Sequence, residues 1–295
     1  MAPLQIAELL LLAALWGGSF LFMRIAAPEL GPIWLIECRV LLAGLTLLPL
    51  LLRQGLGRVL HQHWRSLTIV GLLNSALPFS LLAFTSLFLP AGTTAILNGT
   101  AHFFGVAIAD VWLGARLTIS RLWGLLLGFS GVVVLVSLHG TALTPEIFLA
   151  IATGLCAALM YAIAAPLIRL NLQGVPSLVI TTGSQLSAAV CLLPLLPFTW
   201  PQQSPSQLAL LAVLGLALLS TALAYILYFR LIQAVGSTRA LTVTYLIPLF
   251  AILWGALLLK EAITVAMVTG GILVLLGTAI ANRVIKLPVS FSKSK

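Results

Sequence analysis

The sequence predicts an all-α integral membrane protein, with ten transmembrane helices in two inverted five-helix repeats and both termini in the cytoplasm. Three observations support this fold class. Hydrophobic residues make up 61% of the 295 positions and charged residues only 7%, whereas a soluble domain carries roughly 25% charged residues. Apolar runs recur along the whole chain, and basic residues are concentrated in alternate gaps between them. Most of the protein surface must therefore face lipid.

Ten apolar runs are long enough to cross a bilayer, which requires roughly 20 helical residues. Each run is continuously apolar, which favours helices over the alternating strands of a membrane barrel. The gaps are too short to hold a soluble domain. We place the ten spans at 7–27, 32–52, 66–88, 92–113, 118–138, 147–168, 177–198, 207–229, 238–259 and 263–282.

The distribution of positive charge predicts the orientation, because cytoplasmic loops are enriched in lysine and arginine. With a cytoplasmic N-terminus, all of the 15 basic residues except Arg24, Arg39 and Lys260 lie in cytoplasmic gaps or in the C-terminal tail. Trp34 and Trp200 then fall at the outer interface, where tryptophan is favoured. The formal charge is +9, but the basic residues form no stripe interleaved with aromatics, so we expect no nucleic-acid partner.

The two halves of the chain resemble each other at an offset of 144–146 residues. We therefore predict a first repeat at 1–140, a second at 141–286 and a cytoplasmic tail at 287–295. Each repeat has an odd number of spans, so the second enters the membrane inverted, an arrangement typical of transporters. The alternative is that duplication only doubled a membrane scaffold. The matched segments are 45–51 with 190–196, Gly92 with Gly236, and 115–131 with 261–277.

Several stretches resemble the EamA-type carriers of the drug/metabolite transporter superfamily. They include "LLAALWGGSFLFMRIA" in span 1, "ECRVLLAG" in span 2 and the region "STALAYILYFRLIQAVGSTRALTVTYLIP" across spans 8 and 9. The resemblance covers essentially the whole chain. It implies ten spans, cytoplasmic termini and residence in a bacterial inner membrane. Bacterial exporters of amino acids and related metabolites, the YddG type, are the most similar members.

The resemblance also exposes a difference between the halves. In such carriers the fourth span of each repeat has a proline in mid-helix, followed thirteen residues later by a glutamate. The second half keeps both, as Pro248 and Glu261. The first half has His102 and Ala115 at these positions.

His102 lies near the middle of span 4, four residues after Asn98, so a continuous helix would place both side chains on one face. Ionisable groups at this depth are costly and usually face protein or a water-filled cavity. Histidine also titrates near neutral pH. We consider two interpretations: His102 couples protons or bonds the substrate, or it is a neutral histidine bonded to Asn98 or to a neighbouring helix.

Other polar and aromatic residues lie at similar depth and define a candidate central cavity. Trp16 and Tyr161 are related by the repeat and could clamp an apolar or aromatic side chain, although both could equally be packing residues. Pro248 frees the backbone carbonyl of Thr244 and permits a kink. The substrate-binding candidates are Trp16, Ser19, Asn74, Ser75, Asn98, His102, Tyr161, Thr221, Tyr225, Thr244 and Tyr245.

Three further residues are candidates for a structural or gating role. Pro78 and Pro248 interrupt the hydrogen bonding of their helices. Arg39 resembles an arginine common in span 2 of EamA-type carriers, and its depth suggests hydrogen bonds to backbone carbonyls of neighbouring helices. Carboxylate binding is the alternative role for Arg39.

These features predict a secondary transporter that exports amino acids, with aromatic or other neutral ones as candidates, by alternating access around the cavity. We expect a small-molecule substrate, a lipid bilayer, no cofactor and a monomer or homodimer. No catalytic constellation is evident, and His61 and His63 lack nearby carboxylates or cysteines, so neither an enzyme nor a metal site is predicted. Alternative hypotheses are a carrier of drug-like cations, nucleosides or nucleotide-sugars, a passive channel, and an enzyme or receptor for a lipid substrate.

Overall fold

Every regular element is a helix in the residues that the computed structural model describes, namely 1–113, 119–137 and 144–282. The side chains of residues 109–113 and 238 lie outside this description. Seven helices, of 19 to 29 residues, are long and apolar enough to cross a bilayer. The protein is therefore an all-α, multi-pass membrane protein, as the composition predicts.

The helices follow one another with short connections. Two of the long helices contain π-helical segments, and a third long helix ends in a 3₁₀ turn. In chain order they are α1 Pro3–Leu30, α2 Pro32–Arg53, α3 Gly57–Gln62, α4 Trp64–Phe88, α5 Ala91–Gly99, α6 Ala101–Leu113, α7 Ile119–Ser137, α8 Pro145–Asn171, α9 Ser177–Phe198, α10 Gln207–Val235, α11 Ser237–Ala240, α12 Val243–Leu259 and α13 Val265–Ala281.

Seven of the ten predicted spans correspond to the seven long helices. The predicted span at 92–113 is divided into α5 and α6, and the one at 238–259 corresponds to the short α11 followed by α12. Helices α12 and α13 have 17 residues each, which gives them a length of about 25 Å. The count of ten membrane crossings stays a prediction.

Helices α7 and α13 pack together more extensively than any other pair. Glycines line both faces of the contact: a Cβ atom added at Gly131 would lie 2.8 Å from the carbonyl oxygen of Gly270, and one at Gly124 would lie 2.5 Å from the nitrogen of Ala281. Small residues allow such close approach of helix backbones in a membrane. The glycine faces of α7 and α13 are thus used for a contact within the molecule.

This packing gives a direct test of the α7–α13 contact. Gly277→Ala would place a methyl group 2.6 Å from the carbonyl oxygen of Gly124, and overpacking of this kind costs about 1–3 kcal/mol. We expect a clear drop in the unfolding midpoint of the detergent-solubilised protein, measured by size-exclusion chromatography after heating. Gly105→Ala is the matched control, because nothing lies within 4 Å of the added Cβ there. Equal midpoints for the two variants would contradict the packing.

Candidate functional site

Two π-helical segments lie where the sequence predicts polar residues at depth. In α4 the segment Leu72–Ala76 contains Asn74 and Ser75, and in α10 the segment Gly215–Leu223 contains Thr221. π-Helical turns in α-helices are frequent at functional sites, and they change the direction of the side chains that follow. In α4 the buried Pro78 lies two residues after the segment, and because proline lacks an N–H group it disturbs the regular ladder of that turn.

Arg39 of α2 reaches into the π-segment of α10. Its Nε donates a hydrogen bond of 3.0 Å to Thr221 Oγ1, and its guanidinium lies over the Phe79 ring of α4 at 3.6 Å. Thr221 donates its own proton to the carbonyl of Leu216 at 2.8 Å, so its oxygen is free to accept. The expected bonds from Arg39 to backbone carbonyls are thus wrong: its partners are a hydroxyl and an aromatic ring.

Aromatic side chains surround this arginine. Tyr161 of α8 packs against Phe79 with ring centroids 6.3 Å apart, and Trp16 of α1 packs edge-on against Tyr225 of α10 at 6.0 Å. Tyr161 and Tyr225 are also the titratable groups that interact electrostatically with Arg39. Trp16 and Tyr161 therefore pack against different aromatic rings. The two tyrosines, Tyr161 and Tyr225, have their interaction with Arg39 in common.

The remaining polar candidates near Arg39 have partners. The Ser19 hydroxyl donates to the carbonyl of Trp16 at 2.6 Å on its own helix. Ser75 accepts a hydrogen bond of 3.1 Å from Gln185 Nε2 of α9. The Asn74 side chain interacts with the Tyr225 hydroxyl. Of the predicted cavity residues, Trp16, Asn74, Tyr161, Thr221 and Tyr225 are thus connected to the Arg39 region, directly or through one partner, whereas Ser75 bonds to Gln185.

Asn98 and His102 lie on two different helices. The helical hydrogen bonding is interrupted at Thr100, between α5 and α6, so the expected continuous helix has a break there, and the shared face of Asn98 and His102 stays a prediction. The Thr100 hydroxyl donates to the carbonyl of Leu97 at 2.6 Å, and such local bonds compete with the helical ladder. The preceding Gly99 lowers helix propensity further. Asn98 Oδ1 is buried and has no hydrogen-bond partner among the described residues.

His102 bridges α6 to the start of α12. Its Nδ1 lies 3.2 Å from the carbonyl oxygen of Gly99, and its Nε2 lies 3.2 Å from Thr244 Oγ1. The Tyr245 ring stacks at 6.0 Å from the imidazole, and the Tyr245 hydroxyl accepts a bond of 3.2 Å from Asn282. His102, Thr244 and Tyr245 thus form a second cluster, with the buried Pro248 one turn further along α12.

The hydrogen bonds that this second cluster can form at the same time depend on the charge of His102. A carbonyl can only accept, so Nδ1 must carry a proton to bond with Gly99. The Thr244 hydroxyl also lies 2.7 Å from the carbonyl oxygen of Leu241. With a charged His102, Nε2 donates to Thr244, which donates to Leu241, and all three contacts are satisfied. With a neutral His102, the Thr244 proton must turn to Nε2 and leave Leu241.

A third set of contacts joins α1, the end of α4, the start of α5 and the loop between α12 and α13. Arg24 of α1 donates from Nη1 to the carbonyl oxygens of Ser86 and Leu87, both at 2.7 Å, and its Nε lies 3.5 Å from the Glu261 carboxylate. That carboxylate accepts a bond of 3.0 Å from the backbone N–H of Ala91. We call these five residues the Arg24–Glu261 latch. Burial raises the pKa of Glu261, whereas the N–H of Ala91 and the charge of Arg24 lower it.

Four contributors to these clusters are missing from the sequence-based site. Gln185 is a polar residue in the middle of a span, and this signal could have identified it. Arg24 and Glu261 could have been paired through their rarity, because both are charged residues on the predicted outer side. Phe79 carries no distinguishing signal, since an aromatic residue in an apolar helix is most often a packing residue.

A separate cavity of about 480 Å³ lies between α3, the start of α4 and the middle of α9. It contains none of the predicted site residues and is mainly apolar. Its polar side chains are those of His61, Thr68 and Ser187.

Comparisons with known proteins agree with the fold. The profile of the EamA-like transporter family matches the chain twice, at residues 5–137 and 148–283. A chain of known crystal structure superposes with a TM-score of 0.66 at 21% identity, over 94% of this chain and 96% of that one. Within the described residues, no group of three or more metal-ligating side chains is present.

Two curated relatives span nearly the whole chain. The uncharacterized transporter YoaV of Bacillus subtilis is 22% identical over 89% of this chain and 91% of its own length. A probable terminal-alkyne amino-acid exporter of Streptantibioticus cattleyicolor is 24% identical over 93% of this chain and 92% of its own length. The chain therefore belongs to the EamA-like transporter family, and it is a multi-pass membrane transporter rather than an enzyme.

Proposed function

We propose that the protein is a secondary carrier that exports amino acids across a bacterial inner membrane by alternating access. The observation that carries this proposal is the Arg39 cluster, in which a buried cation and polar groups from both predicted halves converge. Arg39 and Phe79 come from the first half, and Tyr161, Thr221 and Tyr225 from the second. Substrate sites of carriers with inverted repeats lie between the repeats in this way. The relative from Streptantibioticus supports amino acids as the cargo.

The proposed mechanism keeps the predicted topology of ten spans with cytoplasmic termini. The contacts between helices support two halves related by a pseudo-two-fold axis. Helix α1 packs on α10 and α12, and the corresponding helix of the second half, α8, packs on α4, α5 and α6. An ion pair of 3.0 Å between Glu8 and Arg230 joins two helix ends on the predicted cytoplasmic side. Rocking of these halves would expose the Arg39 cluster to either side in turn.

We further propose that the Arg24–Glu261 latch is the closed outer gate. It ties α1 to the end of α4, the start of α5 and the loop before α13. These segments all lie on the predicted outer side. Opening that side requires at least some of these charge-assisted bonds to break, so the latch biases the carrier toward the state that is closed outside.

His102 is our candidate for proton coupling. A charge at this depth costs free energy, so protonation by a gradient would perturb the local equilibrium. The proton on Thr244 would then change its acceptor from His102 to Leu241, which lies in the turn just before α12. Protonation would in this way act on the junction between α6 and α12.

Among other cargoes, a drug-like cation is disfavoured by the positive charge of Arg39 at the centre of the cluster. Nucleotide-sugars carry two phosphates, and the described part of this cluster offers one basic side chain for them. A neutral amino acid, with one carboxylate, matches the single cation better.

The carrier function is tested by counterflow. Purified protein in proteoliposomes preloaded with an unlabelled amino acid should accelerate the entry of the same labelled compound, with saturation. We would test a panel that includes L-phenylalanine and L-leucine, with protein-free liposomes as the control. No accelerated flux for any amino acid would overturn the proposal, and flux without saturation or counterflow would indicate a channel.

The outer gate is tested by thiol accessibility. Glu261→Gln removes the ion pair with Arg24, which we expect to shift the equilibrium toward the outward-open state by about 1–2 kcal/mol, or roughly ten-fold. In a background with the three native cysteines replaced by serine, a Ser86→Cys reporter within the latch, where the Ser86 side chain is buried, should then react faster with a membrane-impermeant thiol reagent added outside. Glu29→Gln is the matched control, because Glu29 bonds Ser206 and lies outside the latch. Equal labelling of both variants would contradict the gate.

Proton coupling is tested with His102→Ala. This variant should lose the dependence of transport on a pH gradient and keep exchange within about two-fold of wild type, because exchange requires no net movement of protons. His63→Ala is the control, since His63 lies in the turn before α4 and bonds only to the carbonyl of Val59. An unchanged response to the gradient in His102→Ala would reduce His102 to a structural role.

A further inference from the structure

The Arg39 guanidinium has more hydrogen-bond donors than the described residues satisfy. A guanidinium carries five N–H groups, and Arg39 uses the one on Nε for Thr221. Its Nη1 and Nη2 atoms bond to none of the described residues, and we call the edge that carries them the open edge. The residue as a whole is only 5% exposed. Four N–H groups of a buried cation are therefore available to a ligand.

No described carboxylate neutralises this charge. Glu37 lies two residues away on α2 and forms no ion pair with Arg39, and both of its oxygens lack hydrogen-bond partners. An uncompensated cation in a membrane interior is costly. Stacking on Phe79 and one bond to Thr221 offset only part of this cost, because both partners are neutral.

The neighbours of Arg39 hold its guanidinium in one orientation. Phe79 covers a face of the guanidinium plane at 3.6 Å, and Thr221 fixes the Nε edge because its own proton is bonded to Leu216. The edge that carries Nη1 and Nη2 is left open. This edge presents two parallel N–H groups, the geometry that binds both oxygens of a carboxylate. Tyr161 packs on the same Phe79 ring, with centroids 6.3 Å apart.

We propose that Arg39 is an anion-binding residue that holds the carboxylate of the cargo, with Phe79 and Thr221 as positioning residues. The proposal rests on the carrier function in that the cargo occupies this cluster. It goes beyond that function in naming the chemical group that is recognised. A bidentate site of this kind prefers a carboxylic acid to its amide, which has the same shape and no charge.

The test compares three probes by isothermal titration calorimetry with the purified full-length protein in detergent. L-phenylalanine has a carboxylate and an ammonium group, 3-phenylpropanoate has only the carboxylate, and L-phenylalaninamide has only the ammonium. We expect the wild-type protein to bind both acids at least about ten-fold more tightly than the amide, as a charge-assisted bidentate pair implies. Equal affinity for acid and amide would overturn the proposal, and so would no detectable binding of 3-phenylpropanoate.

Variants assign the preference to Arg39. Arg39→Gln should remove the preference for acids over the amide, and Arg39→Lys should leave an intermediate preference, since lysine keeps the charge and loses the fork of donors. Arg230→Gln is the control, because Arg230 is an exposed arginine at the far end of α10. A full acid preference in Arg39→Gln would overturn the assignment. If Arg39→Gln fails to fold, the ratio of acid affinity to amide affinity, compared between wild type and Arg39→Lys, still tests the assignment.

Binding and counterflow separate the two proposals. Amino-acid counterflow together with equal binding of acid and amide would retain the carrier and overturn the anion site. Acid-selective binding that depends on Arg39, without counterflow for any amino acid, would retain the site and overturn the carrier.

Discussion

A polar side chain in the hydrocarbon core of a membrane can form hydrogen bonds only with the protein or with a cargo, and this constraint shapes the helix bundle. Most hydroxyls meet it locally: Ser86 donates to the carbonyl of Leu82 at 2.8 Å, and Thr278 donates to that of Val274 at 2.8 Å. The Trp254 indole meets it between helices, through the carbonyl of Ala14 at 3.0 Å. Groups satisfied in this way have no further chemistry to offer. Arg39 differs because its open edge remains unsatisfied.

The same constraint explains where the helices depart from regularity. Irregular backbone at membrane depth is tolerated only where protein or a cavity surrounds it. The π-segments of α4 and α10, the turn at Thr100 and the turn before α12 all supply groups to the Arg39 or His102 clusters. By contrast, α7 and α13 are regular helices packed through glycines. We infer that the regular, glycine-packed helices α7 and α13 support the less regular helices that carry the Arg39 and His102 clusters.

Sequence alone predicts the all-helical membrane fold well, because the cost of placing a residue in hydrocarbon depends mainly on local composition. It also identifies Thr221 and Tyr225, since polar groups at depth are conspicuous. It fails where partners are distant: the bond from Arg39 to Thr221 joins residues 182 positions apart. It fails too where helix continuity is assumed, as for Asn98 and His102, whose spacing has meaning only on an unbroken helix. Gly99 and Thr100 break that helix through a local bond that hydropathy does not register.

The Arg24–Glu261 latch shows how an inverted repeat can become functionally unequal. Within the predicted offset of 144–146 residues, Arg24 corresponds to Arg169, so both halves keep the arginine. Glu261 corresponds instead to Ala115, outside the described residues, and an alanine in any conformation has no carboxylate to offer. Arg169 is exposed at the end of α8, on the predicted cytoplasmic side.

A symmetric carrier would spend equal time open to each side, because its two gates would have equal free energies. In the proposed cycle the Arg24–Glu261 latch favours closure of the outer side, whereas the Glu8–Arg230 ion pair joins helix ends on the predicted cytoplasmic side. Because these two contacts differ in their residues and their burial, we infer that the two gates differ in free energy and that this difference sets the direction of the resting state.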